Sequence, residues 1–249
     1  MESNEHDPSE PPRGDVFVTT RWTVVLHAGH KSSPQSDRAL GELCQTYWFP
    51  LYAYVRRRGR SKEDAEDLVQ AFFARFLEKN YLEGLNAERG KFRAFLLAAL
   101  KHFLANEWDK VQRQKRGGGA QHLSIDWQSA EDRFQLEPPD STSPDRIYDR
   151  EWALALLERV INRLRDECAK EGKANLFAQA KGYLMVGEQA IPYAEAGKQL
   201  GLDDGAMRVA VHRLRKRYRE LLRDEIAETL EDRARVAEEL RSLQAALAS

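Results

Sequence analysis

Carboxylates between residues 63 and 70 are the first candidates for acid–base or metal chemistry in this chain. Glu63, Glu66 and Asp67, together with the amide of Gln70, lie at helical spacing on the outer side of an otherwise apolar pattern. Paired carboxylates can act as general acid and base or bind a metal ion. No Glu-x-x-His partner accompanies them, and His27-x-x-His30 lies in a different context. An acidic surface for a basic protein partner and a plain solvated helix face are the two remaining interpretations.

Other signs of catalysis are missing from the sequence. It contains neither a glycine-rich phosphate loop nor a nucleophile elbow. Cys44 and Cys168 stand apart in apolar helical patterns, which is typical of free thiols in a reducing compartment. The apolar runs are too short to span a bilayer, and residues 1–14 lack the order of a secretory signal. We therefore expect a cytoplasmic protein that is not an enzyme and binds no metal or cofactor.

A strongly cationic helix is predicted near the C-terminus. Residues 206–223 carry seven Lys or Arg against one acid, although the net charge of the chain is only −1. The apolar residues are spaced by four, three, four and three, so they form a buried stripe: Met207, Val211, Leu214, Tyr218 and Leu221. The cations on the other side are Arg208, His212, Arg215 and Arg219. A solvated helix in an ordinary bundle would also show such a pattern.

A short helix and a turn precede the cationic helix. Gly197 and Gly201 supply the small residue and the tight turn that a close helix crossing requires. In a helix-turn-helix, the first helix crosses the DNA backbone and the second lies in the major groove. The pattern therefore favours binding of duplex DNA over the bundle interpretation.

The segment 101–116 combines cations with aromatic and amide side chains. Its members are Lys101, His102, Phe103, Asn106, Trp108, Lys110, Arg113, Lys115 and Arg116. Cations can contact phosphates, an amide can contact base edges, and an aromatic ring can stack on a base. This combination suits DNA that is being distorted or opened, although a tryptophan is more often part of a core.

The organisation of the chain is all-α, with two helical domains joined by a flexible linker. We expect a disordered acidic N-terminus (1–15), a helical domain (16–116), a Gly-, Pro- and Ser-rich linker (117–148), a second helical domain (149–223) and a C-terminal helix (224–249). Ser61 is a predicted N-cap. The pattern at 16–28 does not distinguish strand from helix, and Pro50 predicts either a kink or a split in the first clear helix.

These three segments, in this order, resemble the extracytoplasmic-function (ECF) type of bacterial RNA polymerase sigma factor. Residues 64–73 resemble region 2.2 of that family, 91–116 resemble regions 2.3 and 2.4, and 193–219 resemble the region 4.2 helix-turn-helix. The resemblance implies a protein that binds core RNA polymerase and promoter DNA and carries out no covalent chemistry itself.

The resemblance also implies a role for particular residues. Polymerase would be bound by Asp64, Glu66, Asp67, Gln70 and Phe73. The −10 element would be bound and opened by Lys101, His102, Asn106, Trp108, Lys110, Arg113, Lys115 and Arg116. The −35 element would be read by Arg208, His212, Arg213, Arg215, Lys216 and Arg219. Gly197 replaces the alanine usual in the family, and since an alanine is expected to fit that crossing, the glycine should cost about 0.5–1 kcal/mol.

Three alternatives stay open at this stage. A stand-alone helix-turn-helix regulator would bind duplex DNA without polymerase, and a helical scaffold or an unrecognised enzyme would not need DNA at all. An anti-sigma factor, if there is one, would be a separate protein. A helix predicted at 226–247 has three possible roles. Its acids would cover the cationic helix and hold the protein inactive, or its apolar side would form a docking face or a short coiled coil.

Overall fold

A computed structural model describes residues 34–77, 91–111, 127–135, 143–184, 191–230 and 232–248; for 34–45, 77, 107–111 and 127–130 it describes the backbone alone. The all-α prediction is confirmed for these residues. The helices are α1 (Pro34–Arg57), α2 (Lys62–Leu77), α3 (Phe92–Val111), α4 (Trp127–Gln135), α5 (Pro144–Lys170), α6 (Ala174–Ala180), α7 (Tyr193–Lys198), α8 (Asp204–Ala227) and α9 (Val236–Ala248). The predicted N-terminal segment 1–15 and the ambiguous pattern at 16–28 lie outside the described residues.

Helices α1 to α3 build the first hydrophobic cluster. The apolar faces of α2 and α3 are buried, with Phe72, Phe76, Leu96 and Phe103 among the buried side chains. Helix α1 runs through Pro50 without being split. The Ser61 hydroxyl accepts from the backbone N–H of Asp64 at 3.1 Å, which confirms the predicted N-cap of α2.

Helix α5 belongs to two hydrophobic clusters at once. Its first half contributes Tyr148, Trp152 and Leu156 to the cluster of α1–α3. Its second half contributes Val160 and Leu164 to a cluster with α6, α7 and most of α8. The two halves of the chain therefore share one continuous helix in this structure.

Two helices occupy parts of the predicted linker 117–148. Helix α4 lies inside it, and α5 begins at Pro144, before the predicted domain boundary at 149. The serine and proline that suggested a linker start the helix: Ser143 accepts from the N–H of Arg146 at 3.4 Å, and Pro144 occupies the first turn. Helix α4 is held on α1, because Glu131 accepts hydrogen bonds from Tyr52 and Arg56.

The short helix, the turn and the cationic helix follow one another as predicted, although α8 runs from Asp204 to Ala227 and is longer than the predicted cationic segment. Gly201 adopts φ = 66°, the left-handed conformation that glycine tolerates best. Asp203 caps α8 by accepting from the N–H of Ala206 at 2.6 Å. The expectation that alanine fits at position 197 is wrong, because a Cβ on Gly197 would lie 2.5 Å from the carbonyl oxygen of Leu202.

The prediction of a single C-terminal helix over 226–247 is also wrong. Helix α8 continues to Ala227, and α9 begins only at Val236. In between, the Asp232 carboxylate accepts from the N–H of Ala234 at 2.9 Å and starts a 3₁₀ turn. This break reverses the chain, so that Leu230 and Leu243 both enter the cluster of α1–α3.

An ion pair between α5 and α8 makes stability pH-dependent. Arg217 donates two hydrogen bonds to Glu167, at 2.8 and 2.9 Å, and these lower the pKa of Glu167 below its ordinary 4.5. Because the depressed pKa stabilises the fold above the unfolded-state pKa, this stabilisation is lost as the pH falls through the folded-state value. We expect Glu167→Gln to lower the free energy of unfolding by about 0.5–1 kcal/mol at pH 7. The difference should shrink below pH 4.5 in urea titrations; Glu171→Gln, at an exposed pair with Lys173, is the control.

The close approach at Gly197 gives a second prediction. Gly197→Ala should lower the free energy of unfolding by about 1–3 kcal/mol, since the backbone of Leu202 must move. Gly205→Ala is the comparison variant, because its Cβ would lie 3.3 Å from Asp203 Oδ1, a side-chain atom that caps α8 and needs to shift by only a few tenths of an ångström. The gain in helix propensity and the small shift of the cap oppose each other, so this variant should change the free energy of unfolding by less than about 1 kcal/mol. Equal stability of the two variants in urea titrations would contradict the clash.

Candidate nucleic-acid and protein interfaces

The predicted polymerase-binding residues of α2 differ in their exposure. Asp64 and Asp67 are exposed, and Glu66 and Gln70 are half-buried. Burial raises the pKa of Glu66. Phe73 has no exposed area and packs against Phe72 at 5.6 Å between ring centroids. The inclusion of Phe73 among direct contact residues is therefore wrong for this conformation, in which it supports the helix from inside.

The predicted cationic and aromatic set on α3 is only partly within the described side chains. Lys101, His102 and Asn106 are exposed. The Asn106 amide nitrogen lies 3.1 Å from His102 Nδ1, and Lys101 is paired with Asp145 at the start of α5. For the remaining members no side chain is described: Trp108, Lys110, Arg113, Lys115 and Arg116.

Helix α8 presents the cationic face that its sequence predicts. Its buried stripe includes Met207, Val211 and Leu214, with Tyr218 half-buried. Every member of the predicted set is exposed: Arg208, His212, Arg213, Arg215, Lys216 and Arg219. The neighbouring Arg217 turns inward to Glu167 and does not belong to this face. Six side chains on one helix therefore form an exposed surface suited to a polyanion.

Two of these cations, one near the start and one in the middle of α8, are held in fixed orientations. Arg208 Nε donates to Asp204 at 2.6 Å, and its guanidinium lies 4.7 Å from the centroid of the Tyr193 ring. Tyr193 in turn stacks on Tyr183 at 4.6 Å, with 7° between the ring planes. Arg215 donates twice to the carbonyl of Tyr183, at 3.1 and 2.9 Å. The tyrosine pair thus orders one edge of the cationic face.

Sequence reasoning missed the residues that orient these arginines. Asp204 and Arg208 are four apart, a spacing that predicts an ion pair on a helix. Tyr183 and Tyr193 gave no comparable signal, because their stacking depends on how the segments before α7 pack. The sequence analysis also did not predict that the apolar side chain of Val209, next to Arg208, is 50% exposed on this face.

A buried arginine at the start of α3 was missed as well. Arg93 Nε donates to Glu239 of α9 at 2.6 Å, another nitrogen of the group pairs with Asp149 of α5, and the guanidinium lies 4.5 Å from the Trp152 ring centroid. The backbone oxygen of Arg93 accepts from the Tyr148 hydroxyl at 2.9 Å. Three helices therefore meet at one side chain.

The acids of α9 do not cover the cationic helix. Glu239 and Glu238 lie 2.7 and 3.2 Å from the ammonium group of Lys91, and Ser242 accepts from it at 2.9 Å. The hypothesis that this segment occludes α8 is therefore wrong for the described structure. The acids neutralise the start of α3, and the cations of α8 keep their exposure.

The described residues contain neither a candidate metal site nor a candidate membrane-spanning helix. No group of three or more His, Cys, Asp or Glu side chains there has the arrangement needed to hold a metal ion. In the same residues, no helix is both long and apolar enough to cross a membrane.

Comparison with known families gives one match. Residues 45–114 match the family model described as sigma-70 region 2, which covers α2, α3 and much of α1. No curated protein and no solved structure matches the chain. The acidic face of α2 and the exposed residues of α3 both lie inside the matched segment, and the match supports an RNA polymerase sigma factor.

Proposed function

We propose that this protein is a sigma factor of the ECF type, which binds core RNA polymerase and directs promoter recognition and opening. The observation that carries the proposal is the match of residues 45–114 to sigma-70 region 2. The cationic face of α8 lies outside that match and adds a second surface suited to DNA. In this proposal the chain itself is not an enzyme and needs no cofactor, and it acts in the cytoplasm.

The acidic face of α2 is the proposed polymerase-binding surface. Asp64 and Asp67 are exposed and can pair with a basic partner without opening the core. Glu66 and Gln70 lie at its half-buried border. Rim charges of this kind mainly set partner choice and association rate.

The exposed part of α3 is the proposed contact with the −10 element. Lys101 can bind a phosphate once Asp145 is displaced, and Asn106 offers an amide to a base edge. The further members proposed for this role are Trp108, Lys110, Arg113, Lys115 and Arg116.

The cationic face of α8 is the proposed contact with the −35 element. Base edges are read by residues near the start of a recognition helix, which makes Arg208 the first candidate for guanine. In the free chain the Arg208 guanidinium donates to Asp204 at 2.6 Å. On binding DNA, a guanine would replace Asp204 as the hydrogen-bond acceptor. Lys216 and Arg219 lie farther along and suit phosphates, as do His212, Arg213 and Arg215.

Charge reversal on α2 tests the polymerase contact. Asp64→Lys with Asp67→Lys should weaken binding to core RNA polymerase by at least about tenfold, because it places cations where a basic surface docks. Asp166→Lys with Glu171→Lys makes the same charge change at exposed positions of α5 and the following turn, and it should leave binding unchanged. Co-elution with purified core polymerase is the measurement, followed by run-off transcription on fragments that the holoenzyme selects.

The same binding experiments distinguish a sigma factor from a stand-alone regulator. A regulator would bind duplex DNA, with or without the α2 substitutions, and would never co-elute with polymerase. Absence of core binding by the wild-type chain would therefore exclude a sigma factor.

Truncations on α8 test the DNA contact. Arg213→Ala and Lys216→Ala should each reduce the slope of log affinity against log salt by about 0.9, if each side chain neutralises one phosphate of duplex DNA. Arg165→Ala, an exposed arginine of α5, should leave the slope unchanged. Fluorescence anisotropy over a salt series measures all three; equal slopes for all variants would exclude α8 as the phosphate-binding surface.

A further inference from the structure

Val209 is an apolar side chain in the middle of the cationic face of α8. It is 50% exposed, the largest exposed fraction among the large apolar side chains that the structure describes. Met207 and Val211, two residues away on either side, are both buried. Because each residue of an α-helix turns by about 100°, Val209 points almost directly away from both of them. It therefore lies at the centre of the face that α8 turns away from the core.

The turn that precedes Val209 does not cover it. In a helix, a side chain lies over the turn before its own Cα. The two residues in that turn, Gly205 and Ala206, are exposed and carry almost no side chain. A bound molecule can therefore approach both the backbone of this turn and the apolar side chain beside it.

The arginines beside Val209 are held away from it. Arg208 donates to Asp204 at 2.6 Å and lies over the ring of Tyr193. Arg215 donates twice to the carbonyl oxygen of a second tyrosine, Tyr183. The aliphatic stem of an arginine often covers apolar surface, but both of these side chains are directed to the tyrosine pair. The apolar surface of Val209 thus stays open among the cations.

Thymine is the base whose edge matches an apolar side chain. In the major groove it presents a methyl group at C5, in addition to the kind of polar groups that every base offers there. Val209 lies in the second turn of α8, in the part of a recognition helix that meets base edges. Valine is also a poorer helix former than alanine or leucine, so an exposed valine contributes little to the fold of the free chain.

We propose that Val209 reads the 5-methyl group of a thymine in the −35 element, next to the guanine proposed for Arg208. The inference rests on the DNA-binding function proposed above, and it adds an apolar, specificity-determining residue to the cationic set. Consecutive Cα atoms lie about 3.8 Å apart, close to the rise of about 3.4 Å per base pair. The thymine should therefore lie within about two base pairs of that guanine.

Replacement of single thymines by deoxyuridine tests the contact, because uracil pairs as thymine does and lacks only the methyl group. Duplexes are selected from a random library by the full-length chain bound to core polymerase, and each thymine of the selected site is replaced in turn. At one position the wild type should bind the uracil duplex about three to five times more weakly, as expected for the loss of one buried methyl group. Val209→Ala should bind both duplexes nearly equally there. Fluorescence anisotropy measures each affinity.

Two variants of the same face serve as controls. Lys216→Ala, two turns farther along α8 at an exposed position, should weaken binding to both duplexes and preserve the ratio of their affinities. Val209→Ile keeps an apolar side chain and should retain the preference for thymine. A wild type without this preference at any position, or an equal preference in Val209→Ala, would overturn the proposal.

Three further outcomes distinguish the proposal from other roles of Val209. Val209→Ala should unfold at the same urea concentration as the wild type or a higher one; a lower midpoint would show that Val209 supports the fold and would contradict the proposal. Weaker co-elution with core polymerase, with the base preference unchanged, would identify a protein contact instead. Failure to select any duplex would count against the proposed function as well, whereas selected duplexes without a preference for thymine would overturn this inference alone.

Discussion

The contact of Arg93 with two distant helices determines how the rest of this structure is assembled. Its side chain is 12% exposed and lies between Asp149 of α5, Glu239 of α9 and the face of Trp152. Burying a guanidinium is unfavourable unless it is paired and hydrogen-bonded. Here two carboxylates and the Trp152 ring surround the guanidinium. Burial alone would lower the pKa of Arg93, but Glu239 and Asp149 raise it above its ordinary value. Removal of either acid would leave a buried cation with incomplete compensation.

This contact also corrects an unfavourable feature of α3. No acid occupies the first turn of that helix, which instead carries Arg93 just after Lys91. Cations near a helix N-terminus oppose the helix dipole. The carboxylates of α9 supply the missing negative charge from a different part of the chain. These acids therefore stabilise the start of the helix that they contact.

Helical periodicity in the sequence predicts much of this architecture. The buried stripes of α2, α3 and α8 follow from spacings of three and four, and the N-cap at Ser61 follows from its side-chain chemistry. Local composition failed where a residue had a second use. Ser143 and Pro144 suggested a linker, yet they begin α5. Contacts such as Arg93 with Glu239 span 146 residues, and no local pattern reports a pairing of that kind.

The candidate surfaces show the same division between local and distant causes. The exposed cations of α8 were predicted because one helix displays them all, whereas Phe73 was misassigned because a motif does not specify which side faces inward. Gly197 shows how a tertiary contact outweighs propensity. An alanine gains about 1 kcal/mol of helix propensity, but a Cβ 2.5 Å from the Leu202 oxygen forces the turn to shift.

Magnitudes indicate which part of the molecule can move when partners bind. Full burial of a large apolar side chain contributes about 1.5–3 kcal/mol, so Tyr148, Trp152 and Leu156 together hold α5 strongly on α1–α3. Helix α9 buries Leu243 to that degree, packs Val236, Leu240 and Ala246 against the same cluster, and adds the ion pairs of Glu239 with Lys91 and Arg93. Because these pairs are largely buried, salt screens them less than it screens the exposed cations of α8. The exposed cations of α8, and not the paired cations at the start of α3, are therefore the charges that a binding partner can reach most readily.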